Sequence, residues 1–394
     1  MPQFNGTLNA NEFYNALFNA YRLVTTFADG LDGLDSGLAN RFKIDGGKYE
    51  DKLVYTDMDI IKSRVWDPTD TNVLATEQKV VPVQQVIEIS QKRQIALTAG
   101  EYLAKRAWMK EDSFSSFNSV VQSQVGNTKK VYEQRLVSAY IGTMEAAMPS
   151  GKGSGQSVTI NIASNATPSM RVREIGQVTA DLIVDIKDST RDYNDYGFMK
   201  SYDESKLLII WNTKYLNEFR IKDLPVIFHK DGIIKFDGEK LPGRYFGHRI
   251  TEDSYSTYSA STPTTGKPID SDDGTYVPGD SHANGTLRAL EEMDIKVSDV
   301  TTHVFPGDEL PAGAVVYASS EVKIPCYIED AKVIYKIVHV DSIKFPTGFE
   351  TSTEFFNVKN LTTNRYLTWM YANPEYLYNY PMITAVENTV PAGD

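Results

Sequence analysis

From Asp112 to Pro149 apolar residues recur at three- and four-residue steps without a break, about ten turns of helix, and no other feature limits the fold so strongly. Phe114, Phe117, Val121, Val125, Thr128, Tyr132, Leu136, Ala139 and Thr143 fall on one helical face, while Gln122, Lys129, Lys130, Glu133 and Arg135 fall largely elsewhere. Asp112 or Ser113 can cap the start, and Pro149 with Gly151 ends the pattern. At about 1.5 Å per residue the stretch from Ser113 to Met148 would be roughly 54 Å long. That is more than the width of a small compact domain, so the helix reads as a spine, an element a single enzyme core seldom needs.

The flanks of this spine differ in character. Phe13, Leu17, Ala20, Tyr21, Val24 and Phe27 predict one short amphipathic helix ended near Gly30, which must dock on something else. Residues 46–100 read as two extended arms, Lys52 to Val65 and Lys79 to Ile95, joined through Asp67-Pro68-Thr69-Asp70. Pro82 suits an edge strand, and the charges on this projecting hairpin leave too few apolar residues for a domain. After the spine come the loop GKGSG at 151–155, a short strand from Ser157 to Ile162, and a second helix from Arg171 to about Arg191. Val172, Ile175, Thr179, Leu182, Ile183 and Ile186 share one face of that helix. Leu207 to Trp211 is an apolar run fit for a strand buried on both faces, and Thr213 to Arg220 predicts a helix leaving it. From Thr251 to Ser281 the Ser, Thr, Asp, Gly and Tyr content reads as a long surface loop that buries no core. The segments 314–317, 331–340, 355–358 and 366–371 return the chain to β structure.

Composition narrows the function class. The chain has 394 residues, 41% of them hydrophobic, which is enough for real cores, and its formal charge of −12 argues against general binding to a nucleic acid backbone. Cys326 is the single cysteine, so no intrachain disulfide or multi-cysteine metal site is possible, and folding inside a cell is the simpler expectation. No signal-peptide pattern and no long apolar run is present, so neither export by that route nor a membrane span is expected, and the four Asn-x-Thr triplets read as chance matches. Twenty-three tyrosines against five histidines favour contact surfaces and β structure over metal or nucleophile chemistry.

Chemical motifs fail on inspection. GKGSG lacks the Ser or Thr after its lysine and follows a helix, where a phosphate loop would follow a strand. Asp270, Asp272 and Asp273 precede Gly274 one position too early for a calcium loop, and the twelfth position is Ser281, so an acidic solvated turn is the reading. No two histidines stand three or four residues apart, and Cys326 beside Pro325 reads as a small core residue. No cofactor, metal or catalytic set is expected.

In order, a short N-terminal helix, a charged hairpin, a spine helix, a glycine break, a second helix and the strand-helix unit LLIIWNTKYLNEFR resemble the major capsid proteins of tailed bacteriophages, with the Hong Kong 97-type fold. The stretch KLPGRYFGHRI, residues 240–250, is similar to the glycine-then-strand segment that follows that unit in the family. The resemblance implies an α+β subunit with an N-terminal arm at 1–45, an E-loop hairpin at 46–100, a P domain with the spine helix at 101–170, a mixed α/β A domain at 171–328, and a return to the P domain at 329–394. It further implies a non-enzymatic shell protein forming hexamers and pentamers around packaged double-stranded DNA, in a virion assembled in the host bacterial cytoplasm. The implied partners are further copies of the chain, a separate scaffolding protein because the 45-residue arm is too short for a fused one, a portal protein and decoration proteins. Intersubunit contacts are expected from the arm, at Phe13, Leu17 and Tyr21, and from the hairpin, at Lys52, Asp57, Lys62, Arg64, Trp66, Asp67, Pro68, Lys79 and Pro82. Pieces that one subunit cannot satisfy must be buried on neighbours. Two other readings stand beside this one: an encapsulin-like compartment with the same fold, and a β-rich carbohydrate-active enzyme or tail adhesin.

Overall fold

The computed structural model describes residues 37–47, 50–63, 65, 81–100, 111–146, 156–216, 238–259, 268–270, 272–278, 285–360 and 362–391, with the side chains of the long helix described from Ser123 onward. The expected N-terminal helix, the 67–70 turn and the GKGSG loop lie outside the described residues.

The described chain opens with α1 (Gly37–Phe42) and β1 (Lys43–Gly47), then the paired strands β2 (Lys52–Asp57) and β3 (Val83–Glu88), β4 (Gln91–Gly100) and the long helix α2 (Glu111–Thr143). β5 (Ser157–Ala163), α3 (Pro168–Lys187), β6 (Leu207–Asn212), β7 (Gly238–Leu241), β8 (Gly247–Arg249) and α4 (Glu252–Ser259) follow. Short strands come next: β9 (Leu287–Ala289), β10 (Met293–Val297), β11 (Val300–Val304), β12 (Tyr317–Ala318), β13 (Glu321–Val322) and β14 (Cys326–Glu329). The chain closes with β15 (Val333–His339), β16 (Ile343–Asn357), β17 (Thr362–Tyr371), β18 (Glu375–Tyr376) and β19 (Met382–Val390).

A five-stranded sheet in the order β5-β19-β15-β6-β7 forms the main core. Its middle strand, β15, is VIYKIVH, and every residue of it is buried, Lys336 and His339 among them, as happens where both faces of a strand are covered. α3 covers one face. Thr167 caps it through a bond from the Met170 amide and Pro168 stands in its first turn, where a missing amide hydrogen costs nothing. Val172, Ile175, Thr179, Leu182, Ile183 and Ile186 are all buried, as their spacing predicts, on Trp211, Tyr335, Ile337 and Ile383 of the sheet. Each aliphatic side chain among them contributes about 1.5–3 kcal/mol relative to exposure. The sheet joins strands from 157–163, 207–241 and 333–390, so this core draws on segments the resemblance distributes between two pieces.

A smaller core surrounds the sheet β8-β14-β9, with Ile250, Leu310, Val316 and Cys326 inside it. Here the expectation for 251–281 is corrected. Residues 252–259 form α4, and Ile269 and Tyr276 are fully buried members of this core. A polar segment with two well-placed apolar residues can seat them by pinning its backbone: Asp270 accepts from the amides of Asp272 and Gly274, and Gly274 has a φ of +70°, which favours glycine. The acidic residues thus form a tight turn.

The helix α2 also differs from expectation. It ends at Thr143, six residues before Pro149, and is about 50 Å long. From Leu136 to Met144 it is buried all round, so amphipathic spacing gives way to an interior rod end, and a Cβ at Gly142 would overlap the Tyr245 carbonyl.

Two compact units are present. One takes in, among the described residues, Lys92–Gln134 and Glu350–Trp369. Within it Tyr132 packs on Trp369 with ring centroids 6.1 Å apart, the Arg93 guanidinium lies 4.1 Å over Tyr132, and Lys129 donates to Glu350 at 2.6 Å. The other takes in Leu38–Gln91, Arg135–Phe349 and Met370–Asp394 and holds both cores described above. In that unit β1 runs parallel to the start of β16, and β18 pairs antiparallel beside it.

Candidate assembly surface

The hairpin β2–β3 pairs antiparallel with Val54 directly opposite Val86 and Leu53 opposite Ile87. Strand alternation then sends Lys52, Val54, Thr56, Gln84, Val86 and Glu88 to one face and Leu53, Tyr55, Asp57, Gln85 and Ile87 to the other. The first face is exposed. It carries the ion pair between Lys52 and Glu88 at 3.1 Å and the bare pair Val54 and Val86, each about half accessible. Beyond the paired part, Met58, Ile60, Ile61, Val65 and Val81 are exposed as well, Val65 at 92%. Exposed apolar side chains grouped in this way are a candidate contact surface.

The opposite face is anchored within the subunit. Ile87 and Ile89 are completely buried against Ala372 and Leu377, with Leu53, Tyr55, Met370 and Tyr380 around them. Gln85 imitates a strand neighbour: its amide nitrogen donates to the Tyr376 carbonyl at 2.8 Å and its oxygen accepts from the Tyr378 amide at 3.1 Å. The base of the hairpin is therefore part of this chain's own core, because one face of a two-stranded ribbon must be covered before the ribbon is stable.

Two carboxylates tie the strand leaving β2 to the loop 190–200. Asp57 accepts from Lys200 at 2.8 Å; burial opposes its charge, but that hydrogen bond and others keep its pKa below the ordinary value. Asp59 accepts from the Met199 amide at 2.9 Å and from Arg191 at 2.6 Å, which hold it down at about 2. These ties fix the direction in which the arm leaves the body. Sequence reasoning missed them, since the alternation of charges in 50–64 does not reveal which partner each charge finds.

Of the residues expected at intersubunit contacts, the structure places Lys52, Lys62 and Pro82 on the surface and Asp57 in its intrachain ion pair. Phe13, Leu17, Tyr21, Arg64, Trp66, Asp67, Pro68 and Lys79 lie outside the described residues. A further exposed apolar group, which the sequence did not single out, stands where β16 runs toward β17: Phe355, Phe356 and Val358 are all open to solvent.

No group of three or more His, Cys, Asp or Glu among the described residues could hold a metal, and the Cys326 thiol is completely buried, which pushes its pKa up and leaves it inert. Among the described residues no helix is long and apolar enough to cross a membrane.

No family model matches the chain, and no curated protein matches it. Solved structures do. A chain in the capsid structure of Staphylococcus phage Andhra superposes with a TM-score of 0.54 at 9% identity, covering 87% of this chain and 83% of that one. A chain in the structure of the head fiber and inner core protein gp22 of native bacteriophage P68 gives 0.51 at 10% identity, covering 86% and 83%. At such identity only architecture is compared, and it extends over most of both chains. The chain has the fold found in phage capsid structures, the Hong Kong 97-type α+β fold.

Proposed function

We propose that this chain is the major capsid protein of a tailed bacteriophage, a structural subunit that assembles as hexamers and pentamers into an icosahedral head around packaged double-stranded DNA. The observation that carries this is the similarity over 87% of the chain to a chain of a phage capsid structure. The half-anchored hairpin supports it: one face belongs to the subunit's own core and the other offers Val54, Val86, Met58, Ile60 and Ile61 to another molecule. In this reading 1–45 is the arm, 46–100 the E-loop, 101–170 with 329–394 the P domain and 171–328 the A domain. The Lys52, Asp57, Lys62, Arg64, Trp66, Asp67, Pro68, Lys79 and Pro82 positions of the hairpin, with Phe13, Leu17 and Tyr21 of the arm, lie at or near contacts between copies. A scaffolding protein, a portal and decoration proteins are its partners, the host bacterial cytoplasm is where it assembles, and the virion is where it resides. The charge of −12 suits a wall that must not hold the genome tightly while DNA is driven in.

The test is negative-stain microscopy of the purified full chain, in dilute buffer and under crowding, beside a variant with residues 60–81 replaced by a Gly-Ser bridge. Closed particles or capsomer rings for the wild type, and folded subunits without them for the variant, are the expected result. A wild type that stays monomeric in both conditions, or a variant that still closes, would overturn the reading.

A further inference from the structure

The C-terminal end of α2 is held by cations. The last four carbonyls of a helix have no partner within it, and here the Arg249 guanidinium donates to the Tyr140 carbonyl and to the Thr143 hydroxyl, both at 3.0 Å, while lying 4.5 Å over the Tyr140 ring. One residue past the helix, the Lys336 ammonium position meets the Met144 carbonyl. The next residue, Glu145, bonds one ring nitrogen of His248, whose other nitrogen is 3.1 Å from Asp330. Three basic side chains from β8 and β15 thus converge on a few residues.

Their surroundings are unequal. His248 stands between two carboxylates, an arrangement that favours the imidazolium. Lys336 sits in the middle strand of the main sheet, 1% exposed; its one hydrogen bond among the described residues is to an uncharged carbonyl, and Arg249 is a nearby like charge. Glu145 attracts it from beyond ion-pair distance, and Arg249 is in turn drawn by Glu145, Glu291 and Glu375. Burying an uncompensated ammonium there is expensive, and losing the proton removes the cost.

We propose that near pH 8 His248 and Arg249 carry the positive charge of this cluster while Lys336 stands beside them as a neutral amine, making a proton-balanced clamp on the end of α2.

The linkage gives it a signature. Burial, opposed by Glu145, brings Lys336 down to about 7, so between there and the ordinary lysine value of 10.5 the unfolded chain binds the extra proton and this group alone makes stability rise with pH. The bonds to Asp330 and Glu145 raise His248 to about 9, so between 6.5 and there the folded chain binds the extra proton and this group alone makes stability fall. From about pH 7 to 9 the two slopes cancel.

Denaturant unfolding of the full chain at pH 7, 8 and 9 tests this. Wild type is expected to be flat. Lys336→Met should lose up to about tenfold in the folding equilibrium per pH unit, and His248→Gln should gain up to about tenfold. A Lys336→Met profile parallel to wild type would show that the lysine keeps its proton and overturn the proposal. Should either variant fail to fold, NMR titration of wild type decides: one lysine side chain titrating near pH 7 and one histidine near 9 support the clamp, and the absence of either overturns it.

Discussion

The strand β15 and the strand β3 lie in the same chain and meet opposite demands. All seven residues of β15 are buried between β19 and β6, and the subunit satisfies them alone. β3 alternates: Val83, Gln85 and Ile87 turn toward the subunit's own core, while Gln84, Val86 and Glu88 turn to solvent. A strand buried throughout, its Lys336 and His339 included, is finished when its own chain folds. One that carries Val86 on an exposed face, opposite an equally exposed Val54, leaves apolar surface that its own chain does not cover.

Substitutions on the two sides should separate folding from association. Leu136→Asp, at a fully buried position on α2, is expected to cost about 4 kcal/mol or more through an unpaired buried charge and to give insoluble protein. A soluble variant with wild-type circular dichroism would show that the helix end is not interior. Ile87→Ala should cost about 2–4 kcal/mol in denaturant unfolding, because the hairpin base belongs to the subunit's core. Its failure to do so would return the whole hairpin to the neighbour. Gln85→Ala is expected to cost about 1–2 kcal/mol by leaving the Tyr376 carbonyl and Tyr378 amide without their partner, measured the same way. Val86→Asp should change subunit stability by no more than about 0.5 kcal/mol yet abolish particles in sedimentation; assembly at wild-type yield would erase the distinction drawn here. The smallest effect concerns Asp59. Its depressed pKa contributes stability that is present above the ordinary value of 3.8 and lost as pH falls through about 2. Asp59→Asn should flatten that acid limb, and an unchanged limb would mean the tie to Met199 and Arg191 does not hold in solution.

Local pattern made part of this legible. The six inward positions of α3 follow from period alone, and so does the buried run of β6, because each element's own spacing reports the face it must hide. The length of α2 was overestimated by reading up to Pro149, since Met144 to Ala146 carry no signal that side chains of distant strands will cap the helix first. The burial of Ile269 and Tyr276 was illegible for a related reason: composition averages over a window, whereas two residues in a polar stretch suffice to fill a place that Leu287, Val316 and Cys326 have prepared. At the candidate surface the exposed residues of the hairpin were visible as a charged, extended segment, but the anchoring pairs Asp57 with Lys200 and Asp59 with Arg191 join positions far apart in the chain.

β19 lies between β5 and β15, parallel to the first and antiparallel to the second, and it brings Asn161 within 2.8 Å of Asn388 across 227 residues of chain. Such a connection has high contact order, so the sheet is slow to close and its loop entropy is repaid only at the final step. During synthesis, β5 and β15 emerge from the ribosome with open edges and wait for the strand that belongs between them. Until residues 382–390 arrive the main core is incomplete, and the order of synthesis itself delays the mature subunit until nearly all of this sequence has been made.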